Sequence, residues 1–168
     1  EEHNRVIWLA AVCNEEFVMP LAVMLKSVET NLSYNTKINV TILHSSLKNS
    51  SKEKLASSLD TRIFRICWEK IERGTFDKVS TNARLPEEAY YRLALPEILP
   101  TKVSKMIYLD VDMIVQNSLS ELWDMDFEGN DIIAVHSAGI FAAHHMGIFN
   151  YQELNISPVS YTHLRAHE

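Results

Sequence analysis

Apolar residues along this chain fall into short unbroken runs separated by segments with helical spacing. Arg5 to Cys13 (RVIWLAAVC) is continuous and not alternating, the pattern of a strand covered on both faces. Leu21, Leu25, Val28 and Leu32 then recur at i, i+4, i+7 and i+11, which predicts an amphipathic helix. Pro20 is tolerated in a first turn and breaks a helix interior, so the helix starts near Val18. Asn14, Glu15, Glu16 and Phe17 are left as a loop beyond the carboxyl end of the first strand, where open α/β sheets bind ligands. Lys37 to His44 (KINVTILH) reads as a second strand and Arg62 to Cys67 (RIFRIC) as a third. Between them Ser50 to Leu59 reads as a helix, with Ser50 or Ser51 as cap and Glu53 in the first turn. This β-α-β-α-β order predicts parallel strands joined by right-handed crossovers, a Rossmann-like half.

Residues 68–85 mix charges, Gly74 and Asn82 without a period and read as loop with one helical turn at most. Pro86 opens the next helix, with Glu87 and Glu88 placed well against its positive end, and Pro96 and Pro100 close it. Met106 to Leu109 is again unbroken and apolar, the pattern of a central parallel strand. Met113 to Val115 continue extended. Ser118-Leu-Ser-Glu121 reads as a capping box that opens a short helix through Trp123, and Asp131 to His136 (DIIAVH) is a further strand.

The chemistry concentrates where the fourth apolar run meets Asp110 and Asp112. In extended backbone, residues two apart project to the same side, so these carboxylates converge on one point. Such a pair repels unless a cation lies between its members, and all-oxygen ligands suit Mg²⁺, Mn²⁺ or Ca²⁺ better than Zn²⁺. A bare Asp-x-Asp also occurs in solvated turns. Phosphatases of the haloacid dehalogenase type end a buried strand the same way, but they usually carry Thr or Val where this chain has Ile114, and they place that strand near the start of the domain. By spacing alone Asn14 or a neighbouring acid reads as a helix cap and Phe17 as a core residue. Arg92, four residues after Glu88, reads by spacing as half of a surface i, i+4 ion pair.

In Tyr108-Leu109-Asp110-Val111-Asp112-Met113-Ile114-Val115, followed by Leu119, Leu122 and Trp123, the chain resembles glycosyltransferase family 8, whose members transfer a sugar from a nucleotide-sugar donor. Ala89 to Pro96 (AYYRLALP) resembles the family's Tyr-x-Arg-Leu element upstream of the acids. The resemblance implies an α/β, Rossmann-like GT-A nucleotide-sugar-binding fold with a mostly parallel central sheet, incomplete at the C-terminus. It implies Asp110 and Asp112 as ligands of Mn²⁺ or Mg²⁺, and Val12, Asn14, Phe17, Arg92, Asp110, Val111 and Asp112 as the nucleotide-sugar set. Many members carry Asp at the position of Asn14. The implied reaction moves glucose or galactose from a UDP-sugar, with retention, to a glycan or lipid-linked glycan such as lipopolysaccharide; the carboxylates act by position and no catalytic proton carrier is assigned. The family's third metal ligand, a histidine, and its Asn-x-Gly segment would both fall beyond Pro158. A truncated, inactive nucleotide-sugar-binding fragment is therefore the alternative to an active enzyme.

Composition narrows the setting. The formal charge of -6 and the lack of a Lys/Arg block argue against a nucleic-acid partner. No apolar run reaches the length of a membrane span and no leader pattern is visible, which gives a cytoplasmic expectation and leaves peripheral membrane association open. Cys13 and Cys67 sit in apolar strands and read as buried thiols. His136, His144 and His145 lack a ligand spacing and read as packed or solvated. Residues 159–168 (VSYTHLRAHE) look like a translated adapter read-through and are set apart from the donor-binding part, 1–158; the i, i+4 pair His163 and His167 falls in that tail and is not read as a metal site.

Overall fold

The computed structural model describes residues 5–72, 74–76, 86–136, 153 and 161–164. Strands β1 (Arg5–Val12), β2 (Thr36–His44) and β3 (Phe64–Lys70) alternate with helices α1 (Val18–Thr30) and α2 (Asn49–Ser57). A 3-10 helix (Glu87–Ala94) and the short α3 (Leu95–Ile98) lead to β4 (Ile107–Tyr108), followed by α4 (Leu119–Trp123). The sheet has the order β3-β2-β1-β4 and every pairing in it is parallel. Residues β5 (Ala134–His136) and β6 (Tyr161–Leu164) form a separate antiparallel pair, so part of the tail set aside on sequence grounds pairs its backbone with the predicted strand near 131–136.

One sheet face is covered along its length, and the other is covered where the carboxyl ends of β1, β2 and β4 meet the segment after Pro86. On one face Ile7, Leu9, Ile38, Val40 and Ile42 pack with Leu21, Met24, Leu25 and Val28 of α1 and Leu55 of α2. Each such fully buried aliphatic side chain contributes about 1.5–3 kcal/mol. On the other face Ala10, Leu43 and Tyr108 meet Tyr91 and Leu95, so the 3-10 helix lies across the ends of β1 and β4.

Several expectations are corrected. The strand before the acids is two residues long and, among the described residues, lies at the sheet's edge against β1 and not at its centre. It reads as central because Ile107, Tyr108 and Leu109 are all buried, through α4 on one face and the 3-10 helix on the other. No strand is assigned over 113–115. The predicted third strand begins at Phe64 and runs to Lys70, because Asp60 holds Arg62 in a turn: its Oδ1 accepts from the Arg62 backbone N–H at 2.8 Å, and the Arg62 guanidinium pulls its carboxyl down to about 2. Pro96 does not close the helix that starts after Pro86. Without an N–H it cannot bond the Arg92 carbonyl, which takes the Leu95 N–H instead, so 87–94 winds as 3-10 and Pro96 enters the first turn of α3. Cys67 is exposed, on the uncovered side of edge strand β3; Cys13 is buried as expected.

Candidate functional site

Parallel pairing brings the carboxyl ends of β1 and β4 side by side. Leu9 stands opposite Ile107 and Ala10 opposite Tyr108, and the Leu109 N–H donates to the Ala10 carbonyl at 3.0 Å. Asp110 therefore leaves the sheet next to Val12. Backbone pairing stops there, and Val111 and Asp112 form a turn. The two-residue period of an extended chain is thus not what gathers the acids. The turn does it, and both carboxylates still line one open cleft.

That cleft, of about 340 Å³, is lined by all seven residues of the expected nucleotide-sugar set: Val12, Asn14, Phe17, Arg92, Asp110, Val111 and Asp112. Pro86, Glu88, Ala89 and Tyr108 complete it, and of these Glu88 was read from sequence only as a partner for Arg92. Arg92 does not take that role. Its Nη2 lies 3.4 Å from Asp110 Oδ1, its Nε donates to the Ala89 carbonyl at 3.0 Å, and its guanidinium stands 4.4 Å from the centre of the Tyr108 ring. An i+4 partner needs an α-helical turn, and this segment is 3-10. Asp112 is exposed and has no ion-pair partner among the described residues.

The β1–α1 loop forms the other wall. Asn14 caps the 3-10 turn Glu15–Phe17, its Oδ1 accepting from the N–H of Glu16 at 3.1 Å and of Phe17 at 3.2 Å. The Phe17 ring is 41% exposed, which rules out the core reading. Glu15 turns away and accepts from the Lys48 N–H at 3.1 Å and from Ser51 Oγ at 2.5 Å. It thereby supplies the cap of α2 that sequence reasoning gave to Ser50 or Ser51; Lys48 stands at the N-cap and makes no side-chain cap bond of its own. The Ser51 hydroxyl, then the Lys48 amide, hold the Glu15 carboxyl below its usual range. Burial, and secondarily the charge of Glu15, push the Cys13 thiol up to about 12, so it stays protonated and unreactive beside the cleft.

An all-oxygen metal fits this donor set. Asp110 is engaged through one oxygen only, at a long distance, and Asp112 is open to solvent. Among the described residues no group of three or more His, Cys, Asp or Glu side chains is arranged to hold a metal, so the two acids would share the ion with ligand oxygens. His144 and His145 lie outside the described residues, as do 73 and 77–85 of the expected 68–85 loop, and 159, 160 and 165–168 of the tail. No helix among the described residues is long and apolar enough to cross a membrane.

Comparison with known proteins places this geometry. The sequence model described as Glycosyl transferase family 8 matches residues 8–161. General stress protein A of Bacillus subtilis (strain 168) is 21% identical over 137 residues, covering 81% of this chain and 48% of its own length. Glycosyltransferase GlyF of Streptococcus pneumoniae serotype 4 is 26% identical over 132 residues, 79% of this chain and 31% of its own length. Among solved structures, the active-site mutant Q189E of LgtC superposes with a TM-score of 0.75 at 22% identity, over 94% of this chain and 54% of that one. The fold is the GT-A arrangement of LgtC, and the chain spans about half the length of the B. subtilis and LgtC chains.

Proposed function

The chain belongs to glycosyltransferase family 8, and from that premise we propose that its cleft binds a UDP-hexose, glucose or galactose, for transfer with retention to a glycan or lipid-linked glycan acceptor. The carrying observation is the meeting in one cleft of residues from three separate parts of the chain: the β1–α1 loop, the 3-10 helix and the turn after β4. The loop offers an exposed aromatic face and a polar amide, which suit a base. The opposite wall offers a guanidinium and two adjacent acids, which suit a diphosphate and its counter-ion.

Charge makes the ion necessary to the proposal. Among the described residues of the lining, Glu88, Asp110 and Asp112 set three carboxylates against the single guanidinium of Arg92. A nucleoside diphosphate entering alone meets net repulsion. Asp110 and Asp112 would hold Mn²⁺ or Mg²⁺, and when bound that ion supplies charge neutralisation for the departing diphosphate. Arg92 orients a phosphate or sugar oxygen, Phe17 stacks on the base, and Val12 and Val111 shape the walls between them. A cytoplasmic setting, with the acceptor met at a membrane surface, belongs to the same proposal.

In a second reading this polypeptide binds the donor and turns nothing over, because the acids and Arg92 among the described lining residues are all assigned to the donor. The phosphatase alternative is excluded by the family match. Calorimetric titration of UDP with Mn²⁺ or with chelator tests the first step that both remaining readings share. Asp112→Ala should abolish the Mn²⁺-dependent part of UDP binding while leaving the urea midpoint in place, since that side chain is exposed and unpaired among the described residues. Unchanged affinity in that variant would overturn the assignment. UDP release from UDP-glucose then separates the active enzyme from the binding fragment.

A further inference from the structure

Strand β3 ends the parallel sheet, and no strand pairs with its outer side among the described residues. The Ile63 carbonyl accepts from the Ile38 N–H at 2.9 Å and the Ile71 N–H donates to the His44 carbonyl at 2.8 Å, so the odd-numbered residues between them turn their backbone groups toward β2. Along a strand the next residue's groups point the opposite way. The N–H and carbonyl groups of Ile66 and Trp68 therefore face outward, a row that can take a further strand.

The side chains of this edge are their own complement. Laid antiparallel to a second copy about a two-fold axis at Cys67, Phe64-Arg-Ile-Cys-Trp-Glu-Lys70 sets Arg65 opposite the partner's Glu69 and Ile66 opposite the partner's Trp68, each pair occurring twice. A two-fold at Arg65 or at Glu69 opposes like charges, one at Ile66 sets Arg62 against the partner's Lys70, and one at Trp68 pairs no opposite charges. The backbone selects the same register. Ile66 and Trp68 carry the outward groups and form the hydrogen-bonded pairs, which puts Cys67 at a non-hydrogen-bonded pair with Cα atoms about 4.5 Å apart. Arg65 and Glu69 flank it on the same face, and among the described residues neither enters an ion pair. Glu69 accepts from the exposed Cys67 thiol at 3.1 Å.

We propose that β3 is an interaction edge for a second copy of this chain: two copies join antiparallel through Phe64–Lys70 about a two-fold at Cys67, and their sheets become continuous. The surface lies on the far side of β2 from the cleft strands, so the proposal stands apart from the donor assignment.

Sedimentation equilibrium of the unaltered chain should show dimers that weaken as salt rises, because the Arg65 and Glu69 charges are screened at the surface. Arg65→Glu and Glu69→Arg each turn two attractive pairs into two repulsive ones and should weaken the dimer by about tenfold or more. Combined, the two substitutions restore opposite charges and should return the dissociation constant to within about threefold of the unaltered chain. Oxidation with copper phenanthroline in air should link the dimer through Cys67, since Cα atoms about 4.5 Å apart lie within disulfide range and Cys13 is buried. Cys67→Ser should abolish the link and keep the dimer. A chain that stays monomeric up to about 200 μM overturns the proposal. So does a dimer that both single reversals leave unchanged, one that the combined reversal fails to restore, or one that oxidation at Cys67 fails to link.

Discussion

Replacing Arg92 by methionine removes a charge while keeping an unbranched stem of similar length, and the structure gives its consequences for metal and nucleotide opposite signs. Among the described residues lining the cleft Arg92 carries the only positive charge, and it lies 3.4 Å from Asp110 with side-chain exposures of 25% and 31% for the two partners. A pair this long and this wet contributes about 1 kcal/mol at most. The contact of the guanidinium with the Tyr108 ring adds about 0.5–1 kcal/mol, part of which the thioether of methionine recovers. Methionine also loses the bond from Nε to the Ala89 carbonyl, worth about 0.5–1.5 kcal/mol, so urea unfolding should show a loss of about 1–3 kcal/mol in all. Mn²⁺ binding in the absence of nucleotide should tighten, by up to about fivefold, since Asp110 is released and the cleft becomes more negative. UDP binding at saturating Mn²⁺ should weaken by about ten- to a hundredfold, the worth of charge-assisted hydrogen bonds to an anion. Calorimetry resolves both. A parallel loss of Mn²⁺ and UDP would mean that Arg92 only holds the turn after β4 in shape, and an unchanged UDP affinity would remove it from the site.

Two further outcomes follow from the opposite wall. Phe17→Ala should weaken UDP binding by about 1–3 kcal/mol if the ring stacks on the base, with little change in the urea midpoint because the ring is 41% exposed; equal UDP affinity would make it a bystander. Glu15 titrates below its usual 4.5, so the stability it adds is present above that value and is lost as pH falls through its folded value. The urea midpoints of the unaltered chain and of Glu15→Gln should therefore differ most at neutral pH and converge in acid, and a gap that is constant from pH 7 to pH 3 would show that the link to Ser51 and Lys48 does not depend on charge.

Much of this protein was legible along the chain because the signals involved are local. Unbroken apolar runs gave β1 and β2 to within a residue at each end, the spacing of Leu21, Leu25 and Val28 gave α1, and Ser118 opens α4 as its capping pattern implies. All seven residues that the family resemblance named lie in one cleft, together with Pro86, Glu88, Ala89 and Tyr108, which it did not name. Tertiary structure decided the partners. Arg92 bonds Asp110, eighteen residues away, in preference to Glu88, and Glu15 caps a helix that begins more than thirty residues later. The acids meet through a turn and not through strand periodicity, and β4 carries a buried strand's sequence at the edge of the described sheet. Hydrophobic period records which side of an element faces away from water. Which polar group meets which depends on where parallel pairing and covered sheet faces bring distant segments, and in the loop after β1 that placement commits the Asn14 oxygen to the N–H groups of Glu16 and Phe17 at the rim of the cleft.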